Sequence, residues 1–385
     1  MTERRPQRQR GATRAVRPAL APAGSAEQRE MNSQAATRTR LLRVPRVLDV
    51  SRGNMSRISS ILQRAGFPLD RVLLVSGSGF TRACAERIAG GLTDAGARVD
   101  VRLVTVASRR QVGQVAREAA DLAVDLLVGV GGGRAIDVAK TAALACEVDV
   151  ASVPTSITHD GISSPVASLT DEAGMRSSVP AATPAAVIID LDVVEAAPPA
   201  MLRAGAGDLL SNLSAIEDWR LADARGQDTY DAYSALIADG AARPVLSLDG
   251  LVGPGRIEVL AKGLVLSGLS MATAGTSRPC SGAEHLVSHS LDRLLGNAAR
   301  LHGEQVALGT LVATVARGSP VADFRSAFHR WGLPAHPADL GLSMDLMAEA
   351  VMRAPATRPN RYTILDEIDL SGAAVVDLLT RAFGA

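Results

Sequence analysis

Asp125-Leu-Leu-Val-Gly-Val-Gly-Gly-Gly-Arg-Ala-Ile-Asp-Val-Ala-Lys140 is the stretch whose reading decides the fold. Its first half is an unbroken apolar run, too short for a helix and suited to a strand buried on both faces. Its second half has the apolar spacing of a helix, and Gly131, Gly132 and Gly133 join the two. A plain strand-to-helix turn accounts for one glycine, hardly for three. Glycine lets a backbone come close to a phosphate, and the helix start offers free N–H groups and a positive dipole end. The spacing is neither that of G-x-G-x-x-G after a first strand nor that of a P-loop ending in Lys-Ser/Thr. Asp137 and Lys140 stand on the first turns of this helix. They read equally well as partners for a phosphate or ribose and as a solvated i,i+3 pair.

The same alternation extends to either side. Upstream, Arg71 to Gly79 reads as a strand, Thr81 to Ala95 as a helix, Ala97 to Val104 as a strand and Gln111 to Ala123 as a helix. Downstream, a short apolar strand ends near Val153, and Val187-Ile-Ile-Asp190 is the last strand signal. Alternation of this kind predicts a parallel, Rossmann-like sheet with helices on both faces. From Pro198 onward the chain reads as helices broken at Gly, Pro and Asp. The expected organisation is a basic, disordered arm over residues 1–46, an α/β dinucleotide-binding domain over 47–195, and an all-α metal and substrate domain over 196–385.

Composition excludes several classes. Aromatic residues are 3% of the chain against 47% hydrophobic, so the cores are expected to be built from Ala, Val and Leu. The Arg-rich arm lacks the interleaved aromatics of a nucleic-acid tail and leads into no folded basic motif, so no nucleic-acid partner is expected. No run approaches the roughly 20 apolar residues of a membrane helix, and no apolar signal core follows the basic start. A cytoplasmic location without a membrane span is the expectation. Cys84, Cys146 and Cys280 have no metal-type pair spacing, so a metal would rely on His and carboxylates.

Two further groups carry chemistry. Val153-Pro-Thr-Ser-Ile-Thr-His-Asp-Gly-Ile-Ser-Ser-Pro165 gathers Thr155, Ser156, Thr158, Asp160 and Ser164 in one loop at the end of a strand, where parallel sheets bind ligands. A turn held by Ser/Thr-to-backbone hydrogen bonds would also use these residues. The helical part holds Asp208, His285, His289 and His302. His285 and His289 share one helix face, and one Asp with two His gives a three-ligand site with an open position, the catalytic arrangement of zinc. Zinc peptidases place Glu after the first His of such a pair, whereas this chain has Leu286.

Thr158-His-Asp-Gly-Ile-Ser-Ser-Pro165, Gly207-Asp-Leu-Leu-Ser-Asn212 and Ser277-Arg-Pro-Cys-Ser-Gly-Ala-Glu-His285, together with the glycine turn, resemble sn-glycerol-1-phosphate dehydrogenases. These belong to the superfamily of iron-type alcohol dehydrogenases and dehydroquinate synthase. The resemblance runs from about residue 48 to the C-terminus, and Cys280 departs from it where a small residue such as Ala is expected. It implies a dehydroquinate synthase-like fold and an NAD(H)- or NADP(H)-dependent enzyme holding Zn2+, with Fe2+ or Ni2+ as alternatives. It also implies that Gly131, Gly132, Gly133, Arg134 and Ala135 hold the pyrophosphate and that Thr155, Ser156, Thr158 and Ser164 line the nicotinamide half. Asp208, His285 and His302 would bind the metal, while Asp160, Asp208 and His289 would touch a small phosphorylated triose. On this reading zinc polarises the C2 carbonyl of dihydroxyacetone phosphate and His289 handles the proton; Arg278, the Arg nearest the metal motif, is the candidate for the phosphate. Family members often assemble, so a homo-oligomer is expected. Rival readings are a sugar-phosphate cyclase, an alcohol dehydrogenase without a phosphate requirement, and, last, a non-catalytic binding protein.

Overall fold

A computed structural model describes residues 42–172, 174–250 and 255–384. The arm expected over residues 1–46 lies almost wholly outside them.

The first half alternates as β1 (Val47–Ser51), α1 (Ile58–Arg64), β2 (Arg71–Ser76), α2 (Phe80–Asp94), β3 (Arg98–Leu103), α3 (Arg109–Asp121), β4 (Leu126–Gly131), α4 (Gly133–Cys146) and β5 (Asp149–Pro154). It continues through β6 (Val166–Thr170) and β7 (Arg176–Pro180) to β8 (Ala186–Asp190). Six strands form one sheet in the order β1-β8-β5-β4-β2-β3, parallel throughout. β4 and β8 are buried along their whole length, which is why their sequences are unbroken apolar runs rather than alternating ones.

β1, α1 and the β6–β7 hairpin went unread in the sequence. β1 is a half-buried edge strand containing Asp49, so it carries no continuous apolar signal. β6 and β7 form a separate antiparallel hairpin whose Ser/Thr-rich strands look like loop.

Because β3 and β4 flank β2 on opposite sides, the direction of sheet growth reverses between β2 and β4. Helices leave opposite faces there and open a crevice at the C-terminal strand ends, where α/β proteins bind their ligands. The glycine turn emerges at this crevice. Gly131 adopts φ +141°, a conformation that L side chains rarely adopt. A Cβ on Gly129 would meet Ala139 Cβ at 3.0 Å and Ile136 Cα at 3.1 Å, so its absence lets α4 lie directly on β4.

The second half is helical: α5 (Leu191–Glu195), α6 (Pro199–Leu210), α7 (Asn212–Ala224), α8 (Ala232–Ser247), α9 (Arg256–Ala274), α10 (Ala283–Leu295), α11 (His302–Ala316), α12 (Ala322–Trp331), α13 (Met344–Arg353) and α14 (Gly372–Phe383). α9 is long and apolar enough to cross a membrane by length and composition, but most of it is buried in the helical core. α6 and α11 meet backbone to backbone. A Cβ on Gly303 would lie 1.8 Å from Ala204 O, and one on Gly207 would lie 2.3 Å from Gly303 O. α9 sits equally close to the 155–165 loop, with Gly268 facing Ser163 and Ser164.

Gly303→Ala should therefore force α6 and α11 apart and lower stability by about 1–3 kcal/mol, as overpacking does. Urea unfolding would record this as a lower midpoint, whereas Gly240→Ala, on an exposed position of α8 with no atom near the added Cβ, should not lower it.

Candidate metal centre and cofactor cleft

The α6–α11 contact places Asp208, near the end of α6, beside His302, the first residue of α11. His285 comes in from the first turn of α10. Its Nε2 lies 3.7 Å from Asp208 Oδ1, and His302 Nε2 lies 3.6 Å from the same oxygen. One donor atom from each of the three residues lies within 4.8 Å of the others. These separations are slightly wider than the roughly 3.3 Å edge of a tetrahedral zinc site with bonds near 2.0–2.1 Å.

The donor set fits a divalent transition metal for a second reason. Each imidazole turns its other nitrogen to a fixed partner: His285 Nδ1 to Glu284 Oε1 at 3.1 Å and His302 Nδ1 to Ser288 Oγ at 3.1 Å. Such outer contacts orient metal-binding histidines.

The charges are strained without a cation. Burial opposes ionisation of Asp208, but His285 and His302 outweigh it and hold the carboxyl below its usual range. Burial likewise opposes the charged form of His285, but Asp208 and Glu284 raise it to about 9. His302, buried beside that charge, falls to about 3. One cation at the three donor atoms would replace this uneven sharing of protons.

His289, one turn beyond His285, stacks on His302 with ring centroids 6.2 Å apart and stays partly exposed. Burial and the charges of Arg358 and neighbouring groups, Arg361 among them, hold it well below the usual histidine range. Asp160 donates its backbone N–H to Asp208 Oδ2 at 3.0 Å, and its Oδ2 accepts from Ser267 Oγ at 2.8 Å. Burial and the adjacent Asp208 push Asp160 up to about 7. Cys280, the departure from the resembling sequences, is buried with its Sγ 3.2 Å from Ser267 Oγ.

His159 links this centre to the glycine turn. A Cβ on Gly133 would meet its Nε2 at 2.7 Å, while its ring centroid lies 6.4 Å from that of His302. The start of α4 and the three donor residues therefore face one crevice. Gly132 and Gly133 are partly exposed there, Ser156 Oγ is 3.4 Å from where a Gly132 Cβ would be, and Thr155 and Thr158 lie on the same loop. Arg134 is exposed, donating to Thr105 O, and Ala135 is buried within the first turn of α4.

Residues 49–198 match the family model of iron-containing alcohol dehydrogenases. A glycerol-1-phosphate dehydrogenase [NAD(P)+] of Methanosarcina mazei is 35% identical over 88% of this chain and 96% of its own length. The chain belongs to the glycerol-1-phosphate dehydrogenase family. Another member, from Hyperthermus butylicus, is 44% identical over 67% of this chain and 74% of its own length. As a family member the chain is an NAD(P)-dependent oxidoreductase of the metal-dependent alcohol dehydrogenase type. Its dehydroquinate synthase-like fold is shared with the crystal structure of a probable glycerol dehydrogenase from Sinorhizobium meliloti. That match has a TM-score of 0.72 at 25% identity and covers 89% of this chain and 98% of the other.

Four residues expected at the site have internal partners. Lys140 is fully buried and donates Nζ to Gly161 O at 2.6 Å, Ser164 O at 3.0 Å and Val166 O at 2.7 Å. Asp137 is buried beside it and accepts from Ser168 N at 3.0 Å. This pair is neither solvated nor turned toward a phosphate; it fastens the 161–168 segment to α4. Arg278 is 2% exposed and committed to Asp228 and Tyr362 O, so it has no free face for a substrate. Ser164 is also buried, its hydroxyl given to Val166 O. Arg358 and Arg361, which the structure sets near His289, had no signal in a chain whose basic residues are nearly all arginine.

Lys140→Met should remove a charged donor from three buried carbonyls and cost roughly 3 kcal/mol or more. Denaturant unfolding of the cofactor-free protein checks it; unchanged stability with weakened cofactor binding would instead restore the phosphate role.

Proposed function

We propose that this enzyme reduces dihydroxyacetone phosphate to sn-glycerol 1-phosphate at the expense of NAD(P)H, with zinc held by Asp208, His285 and His302. The observation that carries the reading is the placement of His159 between Gly133 and His302, which sets the glycine turn and the donor triad in one crevice. Its relatives named glycerol-1-phosphate dehydrogenase [NAD(P)+] support the substrate. When bound, the cofactor supplies a hydride and the metal a positive charge at the carbonyl oxygen.

The chain's own residues do the rest. Gly131, Gly132 and Gly133 let the backbone approach the pyrophosphate, the Arg134 N–H stands at the positive end of α4, and Ala135 closes the first turn by donating its N–H to Gly132 O. Thr155, Ser156, Thr158 and the Ser164 segment shape the nicotinamide side of the crevice. Asp208, aligned by the Asp160 N–H, orients both metal and substrate oxygen. Asp160, held near neutrality, is able to share a proton with a substrate hydroxyl. His289, neutral in the surroundings described, accepts the proton of the C2 hydroxyl during oxidation, and during reduction it relays a proton taken from solvent to the C2 oxygen.

Zinc-loaded protein with dihydroxyacetone phosphate should oxidise NAD(P)H and yield the sn-1 product, and a chelator should abolish turnover. His289→Ala should lower kcat by about 10²–10⁴-fold. Turnover of unphosphorylated alcohols alone would sink the substrate assignment, and full activity of His289→Ala would remove the proton role.

A further inference from the structure

The loop after α13 brings two guanidinium groups to the segment before α10, close enough to His289 to act on its charge. Arg361 donates Nη1 to Ser281 O at 2.7 Å and Nη2 to Ser277 Oγ at 2.8 Å. Ser277 and Ser281 immediately precede α10, the helix of His285 and His289. Arg358 reaches the same Ser277 hydroxyl and, from the other side of the crevice, Ser178 Oγ on β7. Arg293 of α10 holds the loop in place by donating to Ala356 O at 3.2 Å and Thr357 O at 3.0 Å. The position of both arginines is therefore built, not incidental.

Neither group has a carboxylate partner among the described residues. Asp228 is taken by Arg278 at 2.6 Å, and Glu284 by the Gly282 N–H, His285 and Ser214. Arg358 and Arg361 are bonded to uncharged oxygens only, yet each keeps part of its surface accessible. Burial and the neighbouring Arg358 and Arg278 bring even Arg361 down to about 9. Two like charges held together in a confined space call for an anion.

We propose that Arg358 and Arg361 form the subsite for the phosphate dianion of the substrate, with the Arg278–Asp228 pair as a buttress behind them. The inference rests on the phosphorylated-triose reading. The two arginines lie near His289, and a phosphate a few bonds from the substrate's carbonyl would meet planar guanidinium donors there. The same contact explains selection of a phosphorylated substrate: an alcohol without the phosphate leaves both charges uncompensated. Because Arg358 also touches the β6–β7 hairpin, the subsite has walls from both halves of the chain.

The test uses full-length, zinc-loaded enzyme with Arg361→Gln, Arg361→Lys and Arg358→Gln. Binding of sn-glycerol 1-phosphate and of inorganic phosphate is measured by calorimetry, and kcat and KM are measured for dihydroxyacetone phosphate and dihydroxyacetone. Loss of one charge-assisted contact should weaken phosphate binding and raise KM for the phosphorylated substrate by about ten- to hundredfold. The preference over dihydroxyacetone should shrink accordingly, and Arg361→Lys should recover part of it. Equal losses on both substrates, or unaltered phosphate binding in folded Arg358→Gln, would overturn the subsite. Should the wild type prove to act only on unphosphorylated alcohols, the substrate reading fails separately. Inorganic phosphate then decides the subsite by itself: binding lost in the variants upholds it, and no binding to the wild type ends it.

Discussion

Two helices in this protein touch through their backbones, and the site depends on that contact. α6 and α11 cross where Gly207 and Gly303 leave no room for a side chain. Asp208 and His302, each next to one of these glycines, are thereby set side by side. α10 joins them in the same way, since a Cβ on Gly309 of α11 would meet Glu284 O at 2.5 Å. The three donor residues thus sit on rigid helices whose spacing is set by main-chain contact, not by flexible side chains. A metal site needs this precision, because small shifts in donor position loosen coordination.

Charge balance is the second organising factor. Asp208, Asp160, Glu284 and Asp218 are carboxylates at or beneath the site, and each has a designated partner. Asp218 accepts from Ala283 N at 2.7 Å, Ile364 N at 2.9 Å and Arg317 Nη1 at 2.7 Å, tying α7, α10, α11 and the C-terminal segment together. Burial still pushes Asp218 up to about 6, against the opposing charge of Arg317. Arg358 and Arg361, near His289, carry the opposite sign. Carboxylates beside histidines, with guanidinium groups near His289, would suit a cation and an anionic ligand side by side.

The sheet half contributes support as well as a cofactor turn. Lys140 spans from α4 to the loop that carries Asp160, so the helix that begins at the glycine turn also anchors the loop beside the metal donors. A buried lysine on three carbonyls replaces the backbone pairing that this irregular segment lacks. His159 closes the connection on the other side. The glycine turn, the 155–165 loop and the Asp/His/His cluster are therefore parts of one packed unit.

Local pattern was enough to read the alternating strands and helices, the helical second half, the glycine turn and the Asp/His/His set. Strand burial, helical period and donor chemistry are properties of neighbouring residues, and they leave their mark on composition and spacing. β1, the β6–β7 hairpin and the true settings of Asp137, Lys140 and Arg278 did not show, because edge exposure and hydrogen-bond partners depend on chain segments far away in sequence. Lys140 on the first turns of a helix after three glycines looks the same whether it meets a phosphate or three carbonyls. Only the return of the 161–166 loop over α4 makes it the latter, and only the loop after α13, folding back on Ser277 and Ser281, brings two of many arginines near His289.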